Sequence, residues 1–103
     1  MNVKERRKYP RIRVGWAVSI LAADGSKQGK MEDISLEGGF ISCDRPPRPN
    51  EKVLLNYSHY SNKIQVIAQV VWKNREFGRP RDKKAGMGVK FLQFLNNQSS
   101  TER

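Results

Sequence analysis

Apolar residues alternate with small or polar residues along much of this chain, the pattern of β-strands with one buried face. The first such segment has its apolar side chains at every second position, at Val14, Trp16, Val18 and Ile20. The Asp24-Gly25 pair that follows predicts a hairpin turn, because glycine tolerates the positive φ that tight turns require. Residues 27–34 are then predicted to return as the second strand.

Four further strands are predicted at residues 39–43, 52–57, 64–72 and 87–91. A loop must interrupt them at residues 44–51, since proline donates no backbone hydrogen bond to a ladder and this segment holds Pro46, Pro47 and Pro49. The fourth strand places Val53, Leu55 and Tyr57 on one face.

The longest strand, the fifth, is predicted to be covered in part on both faces. One face carries Ile64, Val66, Ala68, Val70 and Trp72. The opposite face also has apolar residues, Ile67 and Val71, as in strands that are buried on two sides.

Six short strands with closely spaced turn signals predict an all-β fold, a small six-stranded antiparallel β-barrel, because closure removes exposed sheet edges. A chain of 103 residues has room for one small domain. We expect the barrel at residues 14–95, a flexible basic N-terminal arm at residues 1–13 and a frayed tail at residues 96–103. Residues 92–98 are predicted to form at most a short helical turn.

The chain carries 20 Lys and Arg against 10 Asp and Glu, a formal net charge of +10. This excess is concentrated in residues 1–13, at a net +5, and in residues 73–84, at a net +4. Two basic segments on a nearly neutral body indicate an anionic partner, whether nucleic acid, a nucleotide or an acidic protein. For residues 73–84, solvation of a polar loop is an equally good explanation.

Several classes of function are disfavoured by what the chain lacks. Cys43 and His59 are each the single residue of their type, so neither an internal disulfide nor the usual structural zinc set is expected. No apolar run approaches the length of a membrane helix and no signal peptide is evident, so we expect a cytoplasmic protein without membrane insertion. No Gly-x-Ser-x-Gly elbow is present, and we predict neither an enzyme nor a cofactor.

Two arginines in the basic arm, Arg7 and Arg11, lie four residues apart on a segment that Pro10 keeps out of helix. Each guanidinium can bind two acceptors at once, such as two phosphate oxygens or the O6 and N7 atoms of guanine. The spacing alone is weak evidence, because Arg75 and Arg79 show it too.

A second candidate motif closes the second predicted strand. The Asp33 carboxylate can accept hydrogen bonds from N1 and the amino group of a guanine, Ser35 adds a hydroxyl, and Gly38 lets the backbone approach a ligand. An ordinary turn stabilised by Asp and Ser side chains explains the same residues equally well.

Taken together, these motifs resemble those of the PilZ domain, a bacterial receptor for the second messenger cyclic di-GMP. The Arg-x-x-x-Arg and Asp-x-Ser-x-x-Gly patterns fall at Arg7, Arg11, Asp33, Ser35 and Gly38. The aliphatic strand ending in Trp72 and the Gly-x-Gly-Val-x-Phe pattern at residues 86–91 are also similar to that family. The resemblance spans residues 5–95.

The resemblance implies a cyclic di-GMP receptor that signals to an effector protein. Arg7 and Arg11 would contact phosphates and guanine Hoogsteen edges, and Arg6 would add a phosphate contact. The other base would be held by Asp33, Ser35, Gly38 and Gly39. We expect ligand binding to order the arm and create the surface that the effector recognises.

Two other functions remain open. A small basic barrel can bind single-stranded nucleic acid on exposed aromatic residues, although Trp16 and Trp72 fit the alternating core faces and no aromatics interleave the basic segments. The chain can also be a PilZ-like protein adaptor that binds no nucleotide.

Overall fold

The computed structural model describes residues 10–74 and 85–95, which form an all-β structure of six strands. The strands are β1 (Ile12–Ala22), β2 (Gly25–Ile34), β3 (Gly38–Ser42), β4 (Lys52–His59), β5 (Asn62–Asn74) and β6 (Gly86–Phe94). They pair antiparallel in the closed order β1-β2-β3-β6-β5-β4. The predicted six-stranded barrel is therefore confirmed.

Alternate residues of the strands fill the barrel interior, as expected when a small barrel closes on its own side chains. The largest fully buried side chains are Ile20, Met31, Ile41, Leu55, Met87, Val18, Val66 and Val70. The predicted inner face of β4 is confirmed, since Val53, Leu55 and Tyr57 are all buried. Period-two alternation thus identified most of the core.

The proline-rich segment forms a loop between β3 and β4, as predicted. Pro46 and Pro47 are buried, and so is Cys43, where burial raises the pKa of the thiol. The loop is tied to the strands by a hydrogen bond from the Asn50 amide to the carbonyl of Val70 at 2.6 Å. Cys43 therefore behaves as a small apolar residue.

The prediction that Trp72 shares the buried face of β5 is wrong. A β-bulge between Val70 and Trp72 shifts the register with β6, so that Trp72 lies opposite Gly88 on the outer surface. Its side chain is 43% exposed and stacks on Phe40, with ring centroids 5.4 Å apart. Val71, in the bulge, is exposed as well.

The predicted helical turn is also wrong as far as Phe94. Strand β6 continues to that residue, where Phe94 pairs with Val66, and the Leu95 amide donates to the carbonyl of Gln65 at 2.9 Å. The extended backbone sets the Phe94 ring edge-on to Phe91, with centroids 5.4 Å apart. Residues 96–98 lie outside the described residues.

The predicted arm and tail fall mostly outside the described part of the chain, which begins at Pro10 and ends at Leu95. Strand β1 starts at Ile12, so Arg11 directly precedes the barrel. No helix long and apolar enough to cross a membrane is found in residues 10–74 or 85–95.

Candidate ligand-binding cleft

Arg11 and Asp33 form an ion pair next to two β-bulges in the barrel. The β1–β2 register shifts between Arg13 and Trp16, and Gly15 in this bulge has a φ of 75°, which favours glycine. A second bulge shifts the register of β2 against β3 just before Asp33. The Arg11 Nη1 atom lies 3.4 Å from the Asp33 Oδ1 atom.

The Arg11–Asp33 pair is partly shielded from solvent and incompletely satisfied. The two side chains are 29% and 24% exposed, respectively. Their 3.4 Å separation exceeds the ~2.7–2.9 Å of a good charged hydrogen bond. The Asp33 Oδ1 atom itself is buried and accepts no hydrogen bond within the part of the chain that is described. The pair therefore presents a strong acceptor whose hydrogen-bonding capacity is unused.

The turn from β2 to β3 is held by its own hydrogen bonds. The Ser35 amide donates to the Gly38 carbonyl at 2.7 Å, and the Glu37 amide donates to Ser35 Oγ at 3.3 Å. The Phe91 amide donates to the Glu37 carbonyl at 2.8 Å, which ties the turn to β6. Ser35 thus stabilises the turn, as the simpler interpretation of the motif expected, while Asp33 does not.

The two glycines after the turn are required by packing. A Cβ atom built on Gly38 would overlap the carbonyl oxygen of Val89, and one built on Gly39 would overlap the carbonyl oxygen of Asp33. Both glycines are buried between neighbouring strands. Their backbones form a floor without side chains.

A cavity of about 260 Å³ opens over this floor. We call it the motif cleft, and its lining residues are Arg11, Ser35, Glu37, Gly38, Gly39, Val71, Val89 and Lys90. The cleft lies where the segment before β1, the β2–β3 turn, the start of β3 and the adjoining surfaces of β5 and β6 meet. Two basic side chains, Arg11 and Lys90, line the cleft together with the backbone of Gly38 and Gly39. This combination suits an anionic ligand with a flat polar edge.

The sequence profile of the PilZ domain family matches residues 5–102. This chain belongs to the PilZ domain family. No curated protein sequence matches it significantly. Among solved structures, it is similar to the inhibitor of motility MotI (DgrA) of Bacillus subtilis, with a TM-score of 0.69 and 18% identity over 86% of this chain. The match covers 43% of MotI, so this chain spans less than half the length of that protein.

Two other similar structures are PilZ domains by description. The PilZ domain of CeSA from a cellulose-synthesizing bacterium has a TM-score of 0.60 and 18% identity, and the match covers 82% of each chain. The PilZ domain of YcgR from Escherichia coli, with c-di-GMP, has a TM-score of 0.61 and 16% identity over 89% of this chain and 79% of the other. At these identities the likeness shows the fold.

The structure of this PilZ domain brings several of the sequence-predicted site residues together. Those that line the motif cleft are Arg11, Ser35, Gly38 and Gly39, and Asp33, which is not among the lining residues, forms an ion pair with Arg11. Arg6 and Arg7 lie outside the described residues.

The sequence interpretation gave no role to the other residues of the motif cleft, Glu37, Val71, Val89 and Lys90. Of these residues, Lys90 was the one that the sequence could have indicated, because it is a lysine within the glycine- and valine-rich segment of β6.

Proposed function

We propose that this PilZ domain is a cytoplasmic receptor for cyclic di-GMP and not an enzyme. The observation that carries the proposal is the ion pair between Asp33 and Arg11, the arginine that lines the motif cleft. A guanidinium binds phosphate oxygens or a guanine Hoogsteen edge, and a carboxylate accepts from guanine N1 and its amino group. The presence of c-di-GMP with the PilZ domain of YcgR supports this choice of ligand.

Each part of the cleft contributes one kind of contact to the base. The Asp33 side chain is 24% exposed, and its carboxylate is the proposed acceptor for the N–H donors of guanine, although its Oδ1 atom is shielded and has to turn outward to meet one. Gly38 and Gly39 line the cleft, and their backbone is proposed to contact the flat face of a base.

Arg6 and Arg7 are proposed to supply the remaining contacts from the N-terminal arm. A volume of about 260 Å³ lies below the ~300–1,000 Å³ of typical small-molecule sites, so the cleft accommodates only part of a dinucleotide. These two arginines precede Arg11 in the chain, and we propose that they contact phosphates on the exposed side of the ligand. Binding then orders the arm and presents a new surface to an effector protein.

Calorimetric titration of the whole chain tests this function. We expect cyclic di-GMP to bind with micromolar affinity or better, and GMP much more weakly. The Arg7→Ala variant should bind the dinucleotide about tenfold or more weakly, because a charge-assisted hydrogen bond contributes ~1.5–3 kcal/mol. Strong salt-dependent binding to single-stranded oligonucleotides with no response to the dinucleotide would instead support a nucleic-acid-binding barrel.

Hydrogen exchange tests the ordering of the arm separately. We expect the amides of residues 1–13 to exchange more slowly once cyclic di-GMP is bound, because contacts between arginines and phosphates restrain the backbone. Strand β4 lies away from the motif cleft and serves as the internal control, with unchanged exchange. If the ligand binds and the exchange of residues 1–13 stays the same, the proposed signal through the arm is wrong although the receptor function stands.

A further inference from the structure

Lys90 is the second cation of the motif cleft. It pairs with Gly38 of β3 on one side and with Gln69 of β5 on the other, and its side chain is exposed. Its partner Gly38 has no side chain, so this position of β3 places none beside Lys90. Within residues 10–74 and 85–95, its ammonium group makes no ion pair with a carboxylate.

The charges around the motif cleft show why this cation matters. Arg11 is already paired with Asp33, and the Glu37 carboxylate lines the same cleft. Without Lys90, the described charges at the cleft would sum to −1 and would repel an anionic ligand. Lys90 brings that sum to zero, and its ammonium is the cation not yet matched by a carboxylate.

Arg11 and Lys90 lie at separate positions around the cleft, and the distance between them bears on which ligands bind both. Arg11 precedes β1, whereas Lys90 lies on β6, and β2 and β3 separate these strands in the barrel. With neighbouring strands ~4.8 Å apart, three spacings place the two backbones about 14 Å apart along the sheet. A ligand with two phosphates can place a separate phosphate at each of these side chains, whereas a ligand with one phosphate has no second phosphate to offer.

We propose that Lys90 binds a phosphate of the ligand and makes the motif cleft selective for a dinucleotide with two phosphates over a mononucleotide. The inference rests on the proposed receptor function. It extends that function to a residue outside the Arg-x-x-x-Arg and Asp-x-Ser-x-x-Gly motifs.

Titration of three lysine variants with cyclic di-GMP and with GMP tests the proposal. Lys90→Ala should weaken cyclic di-GMP binding about tenfold, the effect of one charge-assisted contact, and change GMP binding much less. Lys90→Arg should retain most of the affinity. The control is Lys52→Ala, which removes the same charge from an exposed position on the far side of Gln69 and should change the affinity less than about twofold, because exposed charges beyond the contact are screened.

Each outcome of this experiment decides between the two proposals. If the unmodified protein binds cyclic di-GMP and Lys90→Ala binds it as Lys52→Ala does, the role of Lys90 is overturned and the receptor function stands. Equal losses in both variants would show a general charge effect and would also overturn it. If the unmodified protein does not bind the dinucleotide, both proposals fail. Thermal unfolding of Lys90→Ala should match that of the unmodified protein, because the side chain is exposed.

Discussion

Replacing Asp33 with asparagine is expected to weaken cyclic di-GMP binding by about 100-fold or more, since two charge-assisted hydrogen bonds of ~1.5–3 kcal/mol each depend on the carboxylate. The direction of this change in affinity is informative, because the substitution makes the protein more positive. A more positive protein would by itself bind an anionic ligand more tightly. A loss therefore reflects the contacts of the Asp33 carboxylate, with the ligand or with Arg11, and not the change in net charge. Isothermal titration of the Asp33→Asn protein measures it.

The matched control is Asp24→Asn, which removes the same charge from the exposed β1–β2 turn. It should leave binding unchanged. Folding should be little affected in either variant, because an ion pair with side chains 24–29% exposed contributes at most about 1 kcal/mol. If Asp33→Asn binds the dinucleotide as the unmodified protein does, the ligand site lies elsewhere on the barrel.

A double-mutant cycle with Arg11→Ala separates two roles of the ion pair. If Arg11 and Asp33 each contact the ligand independently, their effects on affinity should add. If Arg11 acts mainly by holding Asp33 in place, the double variant should lose little more affinity than Asp33→Asn alone. The 3.4 Å separation of the charged atoms favours the first result, because the pair is too loose to fix the carboxylate.

The alternation of apolar residues was enough to predict the barrel, because each strand buries every second side chain. It failed at Trp72, where the bulge after Val70 inserts one residue and reverses the face on which the next side chains lie. A bulge of this kind leaves no compositional mark. The exposure of Trp72 weakens the case against a nucleic-acid-binding barrel, because one argument in that case was that Trp72 is buried.

The nucleic-acid-binding alternative has to be judged from the contacts of Trp16 and Trp72 in the structure. Trp16 does pack against the core, as predicted, and it stacks on Tyr57 with ring centroids 5.7 Å apart. Trp72 is partly exposed, but one part of its ring covers Gly88 and it stacks on Phe40. The oligonucleotide titration is therefore a necessary part of the functional test.

The candidate site was predictable only in the segments that carry the motifs. The resemblance identified Arg11, Asp33 and the turn after β2, all within the first 40 residues of the chain. Lys90 and Val71 could not be placed with them, because β3 pairs with β6 across a gap of more than 40 residues and that closure is a property of the whole barrel. Sequence spacing carries no information on such a contact.

Replacing Gly38 with valine is expected to have the largest effect on folding of any change in the motif. A Cβ atom at this position overlaps the carbonyl oxygen of Val89, a backbone atom that cannot move without breaking the β3–β6 ladder. Overpacking typically costs ~1–3 kcal/mol, and here it also opens the barrel. We expect Gly38→Ala to lower the free energy of unfolding in urea by about 2 kcal/mol and Gly38→Val to lower it further.

The control is Leu36→Ala in the same turn, where the side chain is 76% exposed and the free energy of unfolding should change by less than about 0.5 kcal/mol. The comparison decides why the motif ends in glycine. If Gly38→Ala unfolds at the same urea concentration as the unmodified protein but loses cyclic di-GMP, the glycine serves the approach of the ligand. If it unfolds earlier, the glycine serves the packing of β3 against β6, and the binding site depends on it because the barrel does.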